Sequence, residues 1–298
     1  MKNVIVTGAN GFIGSSLIKK LIEKKINVVA LDIFFDNSRL PESDLITKIE
    51  TTLDDTEQLI EMVPKADYDV MYHLAWAGVN GSMKADPIVQ LKNAEMAMNC
   101  AKLCKAIGVK KLLCAGTIAE RAVESLENLS ATSGGMMYGV AKHCTHLMLE
   151  TYCKNIGQPY IWMQFSNIYG PSNKTGNLVS YTVSELLKGN EATFGPAIQP
   201  YDFIYVEDLL EAVLRLGEKE TRRNSYFIGS GSPRKLKDYL LEIGRICGKE
   251  ELIRVGVRPD DGIKYTMDMF DTTGLVEDIG NYISKEFTEG IKYTLENY

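Results

Sequence analysis

The chain has 298 residues, 45% of them hydrophobic and 24% charged, enough for one large folded unit or a core with a smaller satellite. A formal net charge of −6 leaves no basic footprint for nucleic acid or anionic lipid. No apolar run approaches the roughly 20 residues that cross a bilayer, and the first residues lack the pattern of a secretory leader, so no membrane partner is expected.

The first half alternates short apolar runs with helical patterns, as strand–helix–strand units on a parallel sheet do. Strands are expected at Asn3–Thr7, Asn27–Asp32, Ile46–Thr51, Val70–Leu74, Lys111–Ala115 and Tyr160–Phe165. They are nearly continuous in Val, Ile, Leu and Met, which suits strands covered on both faces. Helices are expected at Ile13–Lys24, Asp55–Val63, Pro87–Ile107 and Tyr138–Asn155, with stop signals at Lys24-Lys25, Gly108 and Gly157. After Tyr169-Gly170-Pro171 the chain becomes turn-rich. A helix at Leu178–Lys188, a strand-like Tyr201–Val206 and a helix at Glu207–Leu216 follow, then a strand at Ser225–Ile228 and helices at Leu236–Cys247 and near Ser284–Glu296. The expected layout is a cofactor-binding domain over 1–168 and a discontinuous substrate domain over 169–298. The chain should return to the first domain at about 201–228, because Tyr201–Leu216 reads as another strand–helix unit.

Six cysteines stand at 100, 104, 114, 144, 153 and 247 without any C-x-x-C pair. Cys144 lies between His143 and His146, a local group on one helix that lacks further soft ligands, so no metal site is expected. The remaining thiols fall in apolar segments and behave as small hydrophobes. That usage suits a reducing, cytoplasmic setting. His73, His143 and His146 read as structural.

Gly8, Gly11 and Gly14 form G-x-x-G-x-x-G between a buried strand and an amphipathic helix. The geometry needs one glycine for the tight turn, one for close approach of a pyrophosphate and one for helix–strand packing, while the helix N-terminus offers N–H groups and a positive dipole end. The segment Gly8-Ala9-Asn10-Gly11-Phe12-Ile13-Gly14 is therefore the candidate dinucleotide cradle of a Rossmann fold: α/β, a doubly wound parallel sheet with a smaller C-terminal α/β substrate domain. Asp32 ends the next strand and can accept hydrogen bonds from a ribose diol, which favours NAD, while nearby Arg39 keeps NADP open. Tyr138 and Lys142, spaced i, i+4, share one helix face. A neighbouring ammonium favours the phenolate, lysine can also hold the nicotinamide ribose, and Thr117 at a strand end can hold a substrate oxygen.

These residues resemble the extended short-chain dehydrogenase/reductases, specifically the nucleotide-sugar epimerase/dehydratase group, over nearly the whole chain. The family's T-G-x-x-G-F-I-G corresponds to Thr7–Gly14. His73-Leu74-Ala75 is similar to its cofactor-lining H-L-A-A, with Trp76 in place of the second alanine, and Asn93 to its helix asparagine. Asn167-Ile168-Tyr169-Gly170-Pro171 is similar to N-x-Y-G-P, Asp202–Asp208 to D-F-I-x-V-x-D and Arg258-Pro259-Asp260-Asp261 to R-P-x-D. The resemblance implies that Tyr138 is the acid/base, that Lys142 tunes it and that Thr117 binds the reacting oxygen. It also implies that Leu74, Ala75 and Asn93 line the cofactor, that Asn167, Asn177 and Leu178 line the sugar-nucleotide site, and that Arg258 clamps its pyrophosphate. Tyr201 stands where the family usually has arginine, and Thr52-Leu53 where it usually has Asp-Ile or Asp-Leu, whose carboxylate reaches adenine.

The family's dehydratases carry Thr-Asp-Glu, whereas this chain has Gly116-Thr117-Ile118-Ala119-Glu120. That makes 4,6-dehydration unlikely by resemblance and points to a 4-ketoreductase or an epimerase. The competing expectation is a cofactor-binding sensor or scaffold without turnover, which would not need Thr117, Tyr138 and Lys142 together. The helices Pro87–Ile107 and Tyr138–Asn155 carry apolar residues round much of their circumference (Met96, Met98, Cys100 and Leu103; Leu147, Met148 and Leu149). Such faces are buried in a core or, as the family commonly shows, in a homodimer with a four-helix bundle, which is the expectation adopted.

Overall fold

A computed structural model describes residues 1–124, 134–171, 173, 176–260, 262 and 264–297. Strands β1 (Asn3–Thr7), β2 (Asn27–Asp32), β3 (Ile46–Glu50), β4 (Val70–His73), β5 (Lys111–Thr117) and β6 (Tyr160–Phe165) appear where the apolar runs placed them. The short strands are β7 (Asn167–Tyr169), β8 (Ala192–Thr193), β9 (Pro200–Tyr201), β10 (Phe203–Tyr205), β11 (Ser225–Ile228), β12 (Arg234–Lys235) and β13 (Ile253–Arg254). The helices are α1 (Phe12–Glu23), α2 (Thr56–Met62), α3 (Pro87–Ile107), α4 (Ala119–Glu124), α5 (Gly134–Ile156), α6 (Leu178–Lys188), α7 (Val206–Glu218), α8 (Leu236–Ile246), α9 (Thr273–Ile279) and α10 (Phe287–Glu296).

Seven parallel strands form the main sheet in the order β11-β6-β5-β4-β1-β2-β3. The chain builds outward from β1 through β2 and β3, then crosses back to lay β4 on the other side of β1. The C-terminal ends of β1 and β4 therefore flank the topological switch point, where open α/β sheets take ligands. Val4, Ile5 and Val6 are wholly buried because both faces are covered. One face packs with α1 and α7 into a core containing Leu17, Ile18, Leu21, Leu209 and Val213, and the other packs with α2, α3 and α5 around Leu59, Cys100, Leu103 and Leu149.

The later elements add three small pairings: β7 with β10, β8 with β13, and β9 with β12. β11 pairs in parallel with β6 at the edge of the main sheet. Several boundaries differ from expectation. The Tyr201–Val206 run breaks at Asp202, whose buried carboxylate takes the hydroxyls of Ser166 and Ser230 and the Ser230 N–H, and Val206 already begins α7. Ser284 does not start the last helix, because its N–H and hydroxyl bind Asp208 at 2.9 and 2.5 Å. α5 begins at Gly134 rather than Tyr138, which places Tyr138 past the first turn. Glycine disfavours helix by about 1 kcal/mol per residue, and packing of Met136 overrides it here. Asp261, the last residue of the R-P-x-D-like segment, lies outside the described residues.

Candidate active site

The glycine turn is shaped by backbone contact. Gly8 has φ +65°, and a Cβ on it would lie 2.8 Å from the Ala75 nitrogen; a Cβ on Gly14 would lie 2.1 Å from the Gly8 oxygen. Gly8 thus lets the turns after β1 and β4 touch, and Gly14 lets α1 pack on the turn. Thr7 fastens the two turns further: its hydroxyl accepts the N–H groups of Leu74 and Ala75, each at 3.2 Å. Gly11 caps α1 with no side-chain acceptor, so the dipole end and first N–H groups beside Phe12 and Ile13 suit an anionic group. Asp32 at the end of β2 accepts the Asn10 and Ile33 N–H groups at 2.8 Å each, which aims its carboxylate along the edge of the turn. Asn10 in turn binds the Arg39 N–H through Oδ1 (2.9 Å) and the Phe34 carbonyl through Nδ2 (3.3 Å). These residues fit a dinucleotide: an uncapped helix N-terminus at the switch point, with a carboxylate at the neighbouring strand end.

Asn93 is wholly buried, and its amide exchanges two hydrogen bonds with the Ala77 backbone, at 2.7 and 2.8 Å. These bonds tie α3 to the loop after β4, which carries Leu74 and Ala75. Gln90 does the same from one turn earlier, binding the Gly78 and Met83 carbonyls and the Trp76 indole. Asn99 holds the Leu53 and Asp54 carbonyls, so the departure at Thr52-Leu53 is filled by an internal brace.

Thr117, Tyr138 and Lys142 converge at the C-terminal end of β5. Burial pushes the Tyr138 phenol well above its ordinary value, against a smaller downward pull from the Thr117 side chain. Lys142, one turn further on, is 3% exposed, donates to the Ala115 carbonyl at 2.5 Å and lies 3.5 Å from the centre of the Trp76 ring. Burial pulls its ammonium down to about 7, against the attraction of Glu120. Trp76 also meets Tyr138 edge to face, with ring centroids 6.2 Å apart, and the Lys84 ammonium sits 5.1 Å from the Tyr138 ring. His73 touches Thr7 at 2.9 Å and is pulled down to about 3 by burial, so it is neutral at physiological pH and structural.

The substrate candidates are distributed differently. Asn167 in β7 accepts the Tyr201 hydroxyl at 2.9 Å, so the tyrosine that stands in for arginine is tied to the strand rather than free to bind phosphate. Asn177 caps α6: its Oδ1 accepts the Ser180 N–H and its Nδ2 donates to the Ile168 carbonyl at 2.8 Å. Leu178 packs partly buried against the core. Arg258 is exposed, with its guanidinium on the Thr193 and Tyr181 hydroxyls at 2.8 and 2.6 Å. Among the described residues no three His, Cys, Asp or Glu side chains group as a metal site would, and no helix is long and apolar enough to cross a membrane. Two features escaped the residue-level reading. Glu120 was visible only as part of a pattern, and Lys84 carried no signal at all, because a short 3₁₀ turn at Ser82–Ala85 brings it over Tyr138.

A model of the NAD-dependent epimerase/dehydratase family matches residues 4–229. Over 228 residues the chain is 27% identical to a probable UDP-glucuronate 4-epimerase of Rhizobium meliloti, covering 71% of this chain and 67% of that protein. The solved UDP-glucose 4-epimerase of Thermotoga maritima superposes with a TM-score of 0.83 at 24% identity, covering 99% of this chain and 98% of the other. A dTDP-glucose 4,6-dehydratase of Bacillus anthracis, solved with NAD, gives 0.82 at 17% identity over 99% and 96%. At these identities the two solved structures speak for the fold alone, while the family model spans the strands, the glycine turn and the Tyr138–Lys142 helix. The chain belongs to the NAD-dependent epimerase/dehydratase family.

Proposed function

We propose that this chain is an NAD-dependent enzyme acting on a nucleotide-linked sugar, as an epimerase or a 4-ketoreductase, with Tyr138 moving the proton. What supports the reading most is Tyr138 and Lys142 on one face of α5 beside Thr117, at the end of the strand next to β4 and the switch point. Gly8–Gly14 and Asp32 would hold the dinucleotide, Leu74 and Ala75 would line it, and Asn93 would support that lining. When bound, the nicotinamide supplies or accepts a hydride at a sugar carbon.

Each protein group then has a defined task. Thr117 and Tyr138 hold the sugar oxygen between two hydroxyls. Because burial keeps Tyr138 protonated, it starts as an acid and donates to the oxygen of a keto sugar as that oxygen gains charge. Donation leaves a phenolate, which the Lys142 charge favours; that phenolate is the form that takes the proton from the sugar hydroxyl in the oxidative direction and returns to the phenol. Segments beyond residue 168 would bind the nucleotide, with Arg258 on the pyrophosphate as a planar fork suits phosphate oxygens. The absence of an acid directly after Thr117 disfavours 4,6-dehydration. The exposed apolar residues Ile88 and Leu91 on α3 and Met137, Leu147 and Met148 on α5 support a homodimer through those helices.

The test uses the purified chain with NAD or NADH and a panel of UDP-, dTDP-, GDP- and CDP-linked sugars and their 4-keto derivatives, followed by NMR. Interconversion without net change of cofactor identifies an epimerase, and NADH oxidation dependent on a keto sugar identifies a reductase. Tight NAD binding with no conversion of any panel member would support the non-catalytic reading instead.

A further inference from the structure

Glu120 is a carboxylate with no exposed surface, in the first turn of α4. Its Oε1 accepts the Thr117 N–H at 2.7 Å, and its Oε2 accepts the Trp162 indole N–H at 2.9 Å and the Gln164 amide at 3.2 Å. Gly116 makes this approach possible, since a Cβ there would lie 2.3 Å from the Trp162 nitrogen and 2.7 Å from the Glu120 oxygen. All three donors are neutral, so the hydrogen bonds satisfy the oxygens without cancelling the charge. A buried charge is costly unless compensated, and the compensating cation has to be close.

The groups around it narrow the choice. From α5, His146 Nδ1 lies 3.5 Å from Oε2, with its ring stacked on Trp162 at 4.9 Å, and Lys142 Nζ lies 5.8 Å from the centre of the same Trp162 ring whose N–H Glu120 accepts. Arg121, the neighbour on α4, also feels the Glu120 charge, but its own donors are engaged elsewhere, Nε with Gln164 and Nη1 with the Met269 carbonyl. Around Lys142 stand the Ala115 carbonyl, the Trp76 and Trp162 rings, Cys114 and His73. Burial keeps Cys114 a thiol and His73 neutral. Within that set Glu120 supplies the formal negative charge.

We propose that Glu120 is the positioning residue of this site: it fixes Thr117 at the end of β5 and serves as the buried counter-charge that keeps Lys142 an ammonium beside Tyr138. The proposal rests on the reading of Lys142 as a cofactor contact. In that reading the Lys142 charge attracts the anionic dinucleotide, so cofactor affinity follows its protonation.

The experiment titrates NADH, by its own fluorescence, into the full chain from acid to alkaline pH. In the wild type, affinity falls as pH rises through neutrality, and in Lys142→Met that step is gone. In Glu120→Gln the step remains, but its midpoint moves to lower pH by on the order of one unit, while Glu120→Asp, which keeps the charge, restores it. A merely structural role would weaken binding at every pH without moving the midpoint. A step that is absent in the wild type, or that persists in Lys142→Met, would overturn the assignment of Lys142 and the proposal with it. A step abolished by Lys142→Met but unmoved in Glu120→Gln would overturn the proposal alone. Should Glu120→Gln fail to unfold cooperatively, the same substitution is read against Trp162→Phe, where its amide no longer faces the indole N–H. The midpoint shift is expected there too, and an unshifted midpoint counts against the proposal.

Discussion

Lys142 sits in a place that is poor for stability and useful for chemistry. Its ordinary value in an unfolded chain is about 10.4, and burial pulls it down to about 7 in the folded protein. Between those values the unfolded chain binds the proton and the folded chain does not, so stability gains from this residue as pH rises across the interval. The burial penalty is felt in full below the folded value. Lys142→Met should therefore unfold at higher urea than the wild type near pH 7, with a difference that shrinks as pH rises toward 10. A wild-type and variant pair with parallel pH profiles would show that Lys142 is not desolvated as described. The same substitution should remove turnover, a trade of activity for stability that buried functional groups commonly show.

At the scale of elements, the sharpest sequence signals were those with a local cause. α3 runs from Pro87 to Ile107 as expected because Asp86 caps it, its carboxylate accepting the Ile88 and Val89 N–H groups, and Gly108 ends it with φ 74°. Asp86→Ala should lower stability by roughly 1 kcal/mol, read as a shift in the urea midpoint with an unchanged slope. What the sequence concealed has a tertiary cause. α4 has no amphipathic period of its own; it forms because Glu120 is drawn inward by Thr117, Trp162 and Gln164, and because Gly139 lets α5 approach the Ala119 carbonyl, which a Cβ would meet at 2.8 Å. The break at Asp202 was hidden for the same reason: Ser166 and Ser230, which hold its carboxylate, are 36 and 28 residues away. In the site, the glycine turn and the Tyr138–Lys142 pair were legible because each follows from a short spacing. Asn10, Asn93 and Asn177 were read as lining residues, yet their amides are engaged by the backbone around them. Spacing marks such residues as important without saying whether they touch a ligand or hold what does.

For the whole molecule, the sheet order puts the glycine turn, the loop after β4 and the Thr117 strand end along one edge. The opposite helical layer leaves Leu91 66% and Met148 49% exposed on neighbouring helices, surface that a second copy would cover. Sedimentation should show a dimer at micromolar concentration and a monomer for Leu91→Glu with Met148→Glu; a wild-type monomer would remove the dimer from the account. The central claim, that Tyr138 moves the proton at a cofactor-loaded site, is tested most directly by Tyr138→Phe in the sugar panel. The account predicts NADH affinity close to that of the wild type and turnover lower by roughly 10²-fold or more. Turnover undiminished in that variant would contradict it.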